Sequence, residues 1–242
     1  MAHGAPDDSN VVAVRAQERV DDMAELAVRL GSIASVDRWG RVAYQTNFEK
    51  GIGDWQNVDT GSQWGYLSCE GARSGGYCLH LGWDADAESP SKCIWLLLDY
   101  PLAGNVGVEA YIHPYFSGGW YALYGELYSG SRLYYYGIRW NGVTETIQVK
   151  DETGNYIDVL DVDYTYGFWR TWRCLKVVAD TENERYKRGW WGPFSIDLSG
   201  ISMKSIGSYV EPYSSINIKG QGLEGYPGEY KVDDVILTVY EP

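Results

Sequence analysis

Residues 111–140 read YIHPYFSGGWYALYGELYSGSRLYYYGIRW, and eleven of these thirty residues are aromatic. Two ring-rich runs, Trp120–Tyr128 and Arg132–Trp140, are joined by Ser129-Gly130-Ser131. A short Gly/Ser turn between such runs predicts a β-hairpin. Strand side chains alternate between faces. Trp120, Ala122, Tyr124, Glu126 and Tyr128 therefore share one face of the first run, opposite Tyr121, Leu123, Gly125 and Leu127. In the second run Arg132, Tyr134, Tyr136, Ile138 and Trp140 oppose Leu133, Tyr135, Gly137 and Arg139. One face of each strand must pack inward, and both faces carry rings. Some rings are thus expected at a surface, where Tyr and Trp combine an apolar body with a polar tip. Trp120, Tyr124 and Tyr128 are the candidate ligand-facing rings of this hairpin.

Outward from the hairpin the strand pattern continues. Upstream lie Arg41–Glu49, Trp64–Cys69, Tyr77–Gly82, Cys93–Leu98 and Val106–Pro114. Downstream lie Val143–Lys150, Tyr156–Asp161, Trp169–Ala179, Arg185–Trp191, Ser195–Leu198, Ser215–Lys219 and Lys231–Tyr240. So many short strands, separated by Gly, Asn, Asp, Ser or Pro, predict an all-β protein: an antiparallel jelly-roll β-sandwich over residues 41–242. Residues 1–40 read differently, as a polar arm followed by one short amphipathic helix over 17–31. Val20, Met23, Ala27 and Leu30 fall at heptad spacing there, Asp22 and Glu25 resemble a capping box, and Gly31 is a stop. A helix of four turns is marginal alone in water. It must cover its own domain, dock on another copy of the chain, or dock on another protein; these four residues are candidate oligomerisation contacts and a homo-oligomer is expected.

Composition narrows the function. The 242 residues carry a net charge of −13, which disfavours nucleic acid because the field repels phosphate. No apolar run reaches the ~18 residues of a membrane helix, so no membrane insertion is expected. The opening MAHGAPDDSN has neither a basic nor an apolar signal region. The four cysteines form no CxxC and the three histidines are scattered, so no zinc site is expected. Cys69 and Cys78 flank a Gly-rich turn and either pair across a hairpin or stay free thiols. Hydrolase, metalloprotease, Walker and Rossmann signatures are missing, and His113 beside Pro114 reads as structural.

Two clusters invite a site. Asp233 lies in phase with Val235, Leu237 and Val239, and a carboxylate on an apolar face needs a partner or a cation. First and last strands often neighbour each other in sandwiches, which would bring Glu49 near Asp233 or Asp234. Such acids, with backbone carbonyls, would make an oxygen-ligand site for structural calcium; solvated acids, or an ion pair with Lys50 or Lys231, are the alternatives. Trp190 and Trp191 end the run DTENERYKRGWW and suit either a sugar platform or a subunit contact, with cross-strand packing as the bland reading of at least one. The acidic loop Gly82–Glu88 lacks the EF-hand glycine and reads as solvated.

The order FEKGIGDW, ARSGGYCLHL, W..W..LKVVAD and Y.VDDVILT resembles the jelly-roll carbohydrate-binding modules and concanavalin-like lectin domains over about residues 43–240. That resemblance implies a structural calcium held by Glu49, by Asp233 or Asp234, and by backbone near Ser74–Gly76. It implies glycan as the partner. The arm without a signal resembles the attachment segment of a phage or thermophile-virus structural protein. The expectation is a non-catalytic structural protein of a virion surface or other extracellular assembly that displays a lectin-like domain. The alternatives are a carbohydrate-binding module beside a secreted glycan-active enzyme, and a glycan lyase or hydrolase.

Overall fold

A computed structural model of the chain describes residues 39–57, 63–84, 91–98, 102, 104–115, 119–128, 130–162, 171–207, 213–223 and 226–242. The arm and the heptad pattern of Val20, Met23, Ala27 and Leu30 lie outside these residues, as do most of the acidic loop and Trp169. The described strands in chain order are β1 (Arg41–Thr46), β2 (Gln56–Asn57), β3 (Gln63–Ser68), β4 (Cys78–Trp83), β5 (Ser91–Leu98), β6 (Asn105–Pro114), β7 (Trp120–Tyr128) and β8 (Arg132–Asn141). They continue as β9 (Thr146–Lys150), β10 (Tyr156–Asp161), β11 (Arg173–Asp180), β12 (Arg185–Trp191), β13 (Phe194–Asp197), β14 (Lys204–Gly207), β15 (Ser214–Gln221) and β16 (Gly228–Val239).

Two eight-stranded sheets form the sandwich, and every strand pairing in them is antiparallel. Sheet A runs β13-β12-β11-β6-β16-β4-β3, and sheet B runs β10-β9-β8-β7-β15-β5-β2. The aromatic hairpin is β7–β8, with Tyr128 paired to Leu133 across the turn and Trp120 to Asn141 at the far end. Expected strands are present; β2 and β14 had no sequence signal because two and four mostly polar or small residues carry no readable alternation.

The core lies between the sheets. Tyr121, Leu123 and Leu127 of β7 and Tyr134, Tyr136, Ile138 and Trp140 of β8 point into it. Five rings link the two layers. Trp83 meets Tyr230 at 6.5 Å, Tyr230 meets Tyr121 at 5.4 Å, and Tyr121 stacks on Trp140 at 5.7 Å, which stacks on Trp191 at 5.7 Å. Such rings bury 150–250 Å² each and dominate core energetics. Gly125 fits among them because a Cβ would stand only 2.0 Å from the Ser215 carbonyl oxygen.

The last strand, β16, explains the polar clue. Its first half pairs with β4 and its second half with β1, both on the same edge. Between these halves the pairing with β6 shifts register, from Asp233↔Tyr111 to Ile236↔Glu109. Two residues there oppose one, and Asp234 takes φ +46°. This β-bulge reverses the alternation. Tyr230 and Val232 face the core before it, and Val235 and Leu237 after it. The sequence phase placed Asp233 with Val235; the bulge instead turns Asp233 to the opposite face.

Candidate functional site

Glu49, Asp233 and Asp234 do gather, around the turn 71–77 that joins β3 to β4. Glu49 Oε1 accepts the Gly76 and Tyr77 N–H groups, both at 2.7 Å. Asp233 Oδ2 accepts the Arg73 and Ser74 N–H groups at 3.0 and 3.1 Å, and its Oδ1 accepts the Asp234 N–H at 2.8 Å. The Ser74 hydroxyl donates to Asp234 Oδ1 at 2.7 Å, and the Arg73 guanidinium pairs with Asp234 Oδ2. That guanidinium lies over Tyr111, its Cζ 3.3 Å from the ring centroid. Burial, then the adjoining Asp234, push the Asp233 carboxyl up to about 7, against the pull of its three N–H donors.

Calcium takes six to eight oxygen ligands. Here five of the six carboxylate oxygens already accept hydrogen bonds, and Arg73 stands where positive charge is needed. Among the described residues no group of three His, Cys, Asp or Glu side chains is placed to hold a metal ion. In this structure the carboxylates are engaged by backbone N–H groups, the Ser74 hydroxyl and the Arg73 guanidinium. The ion pair considered from sequence involves Arg73, not Lys50 or Lys231; Lys231 Nζ donates to the Glu70 carbonyl.

The candidate rings divide. Trp120 and Tyr124 stand half-buried on the outer face of sheet B. Tyr128, at the end of the same strand, is buried, its hydroxyl donating to the Gly130 carbonyl at 2.8 Å. Trp190 and Trp191 do not form a platform. Alternation puts them on opposite faces of sheet A, Trp191 in the core against Trp140 and Trp190 buried beside Lys176 and Arg188. Lys176 and Arg188 are themselves tied to Glu241, at 3.0 and 2.7 Å. The four cysteines are free thiols, and Cys78, Cys93 and Cys174 are buried.

Register assembles the sheet B face. Trp95 of β5, Asn217 of β15, Tyr124 of β7 and Gly137 of β8 line up across the strands, and Lys150 of β9 pairs with Tyr156 of β10. Trp95, Asn217, Tyr124, Lys150 and Tyr156 are all half-buried. Gly137 matters at the centre. A Cβ there would lie 3.1 Å from the Tyr156 hydroxyl oxygen and 3.0 Å from Tyr124 Cβ, so its absence lets Tyr156 lean inward. Burial raises the Tyr156 hydroxyl well above its ordinary value, so it is a neutral donor. Cations lie over these rings. Arg139 sits 3.9 Å from the Tyr156 centroid and 5.3 Å from that of Trp120, and Lys150 sits 4.9 Å from that of Tyr124. Lys219 lies 5.9 Å from Trp120 and Lys204 lies 5.7 Å from Tyr135. The result is a floor of rings with amide, hydroxyl and cationic groups between them. Sequence reasoning found Trp120 and Tyr124. It missed Trp95, Tyr156, Lys150, Lys204 and Lys219 because they come from other strands, joined only by register, whereas Arg139 lies on β8 of the hairpin itself.

Sheet A has a second aromatic group on its outer face. Trp64 stacks beside Tyr66 at 5.4 Å, and the Tyr66 hydroxyl lies 3.1 Å from His80 Nδ1. His80 Nε2 lies 3.1 Å from Glu229. His113 packs against Tyr115 at 4.6 Å and Trp172 at 5.4 Å, the structural role its sequence context suggests. These rings and side chains largely satisfy one another.

Against known proteins the fold stands out and the sequence does not. No family model matches the chain. No curated protein matches it. Solved structures do. The cellulose-induced protein Cip1 is 14% identical, with 81% of this chain and 96% of that chain covered, at a TM-score of 0.54. A carbohydrate esterase from the Shiga toxin-encoding bacteriophage phi24B is 9% identical over 83% of this chain and 99% of that one, TM-score 0.57. A Bacillus subtilis protein of unknown function with a galectin-like fold is 11% identical over 83% and 97%, TM-score 0.53. The chain shares the jelly-roll sandwich fold of these structures, the fold its motif order suggested.

Proposed function

We propose that the β-domain binds glycan, without catalysis, through the outer face of sheet B. The observation that carries this reading is the half-buried row Trp95, Tyr124 and Tyr156 beside Trp120, floored by Gly137 and interleaved with Asn217, Lys150 and Arg139. Sugar rings present flat apolar C–H faces with hydroxyls at their rims. A ring floor with hydrogen-bonding groups between the rings matches both. The carbohydrate esterase that shares this fold favours the same class of ligand. Residues 1–40 are proposed to tie copies of the chain into a virion surface or other extracellular assembly; the support is the heptad pattern of Val20, Met23, Ala27 and Leu30.

The test is a glycan array followed by calorimetry on the best binder. Trp120→Ala and Tyr124→Ala should weaken binding at least tenfold, about 1.4 kcal/mol each, while Trp64→Ala on sheet A leaves it unchanged. Loss with Trp64→Ala alone would move the site to sheet A. Turnover of the bound saccharide would overturn the non-catalytic part.

A further inference from the structure

The ligand class follows from where this acidic chain keeps its unpaired cations. The whole sequence has 33 acidic and 20 basic residues. On the sheet A side three cations are matched by acids, Arg73 with Asp234, Lys176 with Glu241 and Glu109, and Arg188 with Glu241, while Lys231 lies over Tyr115 and donates to the Glu70 carbonyl. On sheet B, Arg132 at the end of β8 pairs with Glu184, but the cations among the rings of the outer face do not pair with acids. Among the described residues none of Arg139, Lys150, Lys204 and Lys219 is in an ion pair. Each lies over a ring of the candidate face.

The acids that share this face are committed or few. Asp158 accepts from the Thr146 hydroxyl at 2.7 Å and the Gln148 amide at 2.6 Å. The same Gln148 accepts from Arg139 Nε at 2.5 Å, so an amide stands between that guanidinium and the carboxylate. Glu126, across from Tyr135 in the register, is the acid that acts on Lys150. Burial holds the Lys150 ammonium below its usual range; Glu126 opposes this, and Lys204 and Arg139 add to it. Burial likewise lowers Arg139. Partly desolvated cations that crowd one another are stabilised by an anion placed among them.

We propose that the glycan bound on the outer face of sheet B is anionic, its carboxylate or sulfate groups seated between Arg139, Lys150 and Lys219 while its sugar rings stack on Trp120, Tyr124 and Tyr156. This rests on the glycan reading above and adds the charge. The net charge of −13 repels a polyanion at long range, so recognition is local and the cations select rather than steer.

Three probes of matched length separate the outcomes: an oligogalacturonate for carboxylate, a sulfated oligodextran for sulfate, and a neutral xylo-oligosaccharide. Calorimetry of the full chain at low and moderate salt reads the affinity. The proposal expects one or both anionic probes to bind at least tenfold tighter than the neutral one, and less tightly as salt rises. Preference for the first probe assigns carboxylate, preference for the second assigns sulfate, and equal binding assigns charge alone. Lys150→Gln with Lys219→Gln should reduce anionic binding at least tenfold at an unchanged melting temperature, and Trp120→Ala should reduce it too. Neutral xylo-oligosaccharide binding as tightly as either anion overturns the proposal and leaves the glycan reading standing. Anionic binding that survives Trp120→Ala is ion exchange and also overturns it. No binding by any probe overturns the anionic proposal, and a blank glycan array in addition ends the glycan reading.

Discussion

Trp120 and Trp191 are both tryptophans at strand ends, and the same residue type has opposite meaning at the two places. Trp191 is stacked in the core on Trp140, whereas Trp120 lies half-buried under Arg139 and Lys219. Trp191→Ala should destabilise by about 3–5 kcal/mol, as core aromatic deletions do. Chemical denaturation measures this; a cost below 1 kcal/mol would place Trp191 outside the core. Asp233 makes a prediction in pH. Its carboxyl, pushed up to about 7, sits above the unfolded value of about 3.9. The folded state therefore holds a proton that the unfolded chain releases, and this contribution to stability is full below pH ~4 and lost as pH rises to about 7. The slope of stability against pH from 4 to 7 should be less negative in Asp233→Asn than in the parent, whatever the variant's absolute stability. An identical slope in both would show that Asp233 ionises normally.

At the scale of elements, β16 is where local pattern and structure part. The hairpin β7–β8 was legible because alternation and a Gly/Ser turn are local signals, and pairing follows them from Tyr128↔Leu133 onward. The meeting of β1 with β16 followed from the habit of first and last strands. The bulge at Asp233–Asp234 was not legible: it lies where the pairing along one edge of β16 passes from β4 to β1, a fact of topology. It brought the acids to the expected turn while turning Asp233 away from the core. There the Arg73 guanidinium pairs with Asp234. A ligand that binds only the folded state raises its stability. We propose that none is needed here, so the chain should melt at the same temperature in calcium and in chelator, and Arg73→Ala should lower that temperature because it leaves a buried carboxylate unpaired. A chelator-induced drop in melting temperature would return calcium to this site. The sheet B face was half legible for the same reason. Two of its rings lie on the hairpin, but Trp95 and Tyr156 reach it only through the register of β5 and β10.

Across the whole molecule the two sheets divide the work. The outer face of sheet A carries a joined charge group, with Lys176, Glu109 and Glu241 buried and Arg188 half-buried. The outer face of sheet B holds rings with Arg139, Lys150, Lys204 and Lys219 over them, none of the four in an ion pair among the described residues. Assembly through residues 1–40 is a separate proposal: removing them should leave a folded β-domain of lower native mass, while unfolding of the truncated chain would make that segment part of the core. The central claim, that the outer face of sheet B is a glycan-binding surface, is tested most directly by one paired measurement. Affinity for the best glycan and melting temperature are measured for the parent and for Trp120→Ala. The account predicts at least a tenfold loss of affinity, about 1.4 kcal/mol, with the melting temperature held. Unchanged affinity, or a loss of affinity that only accompanies unfolding, would contradict it.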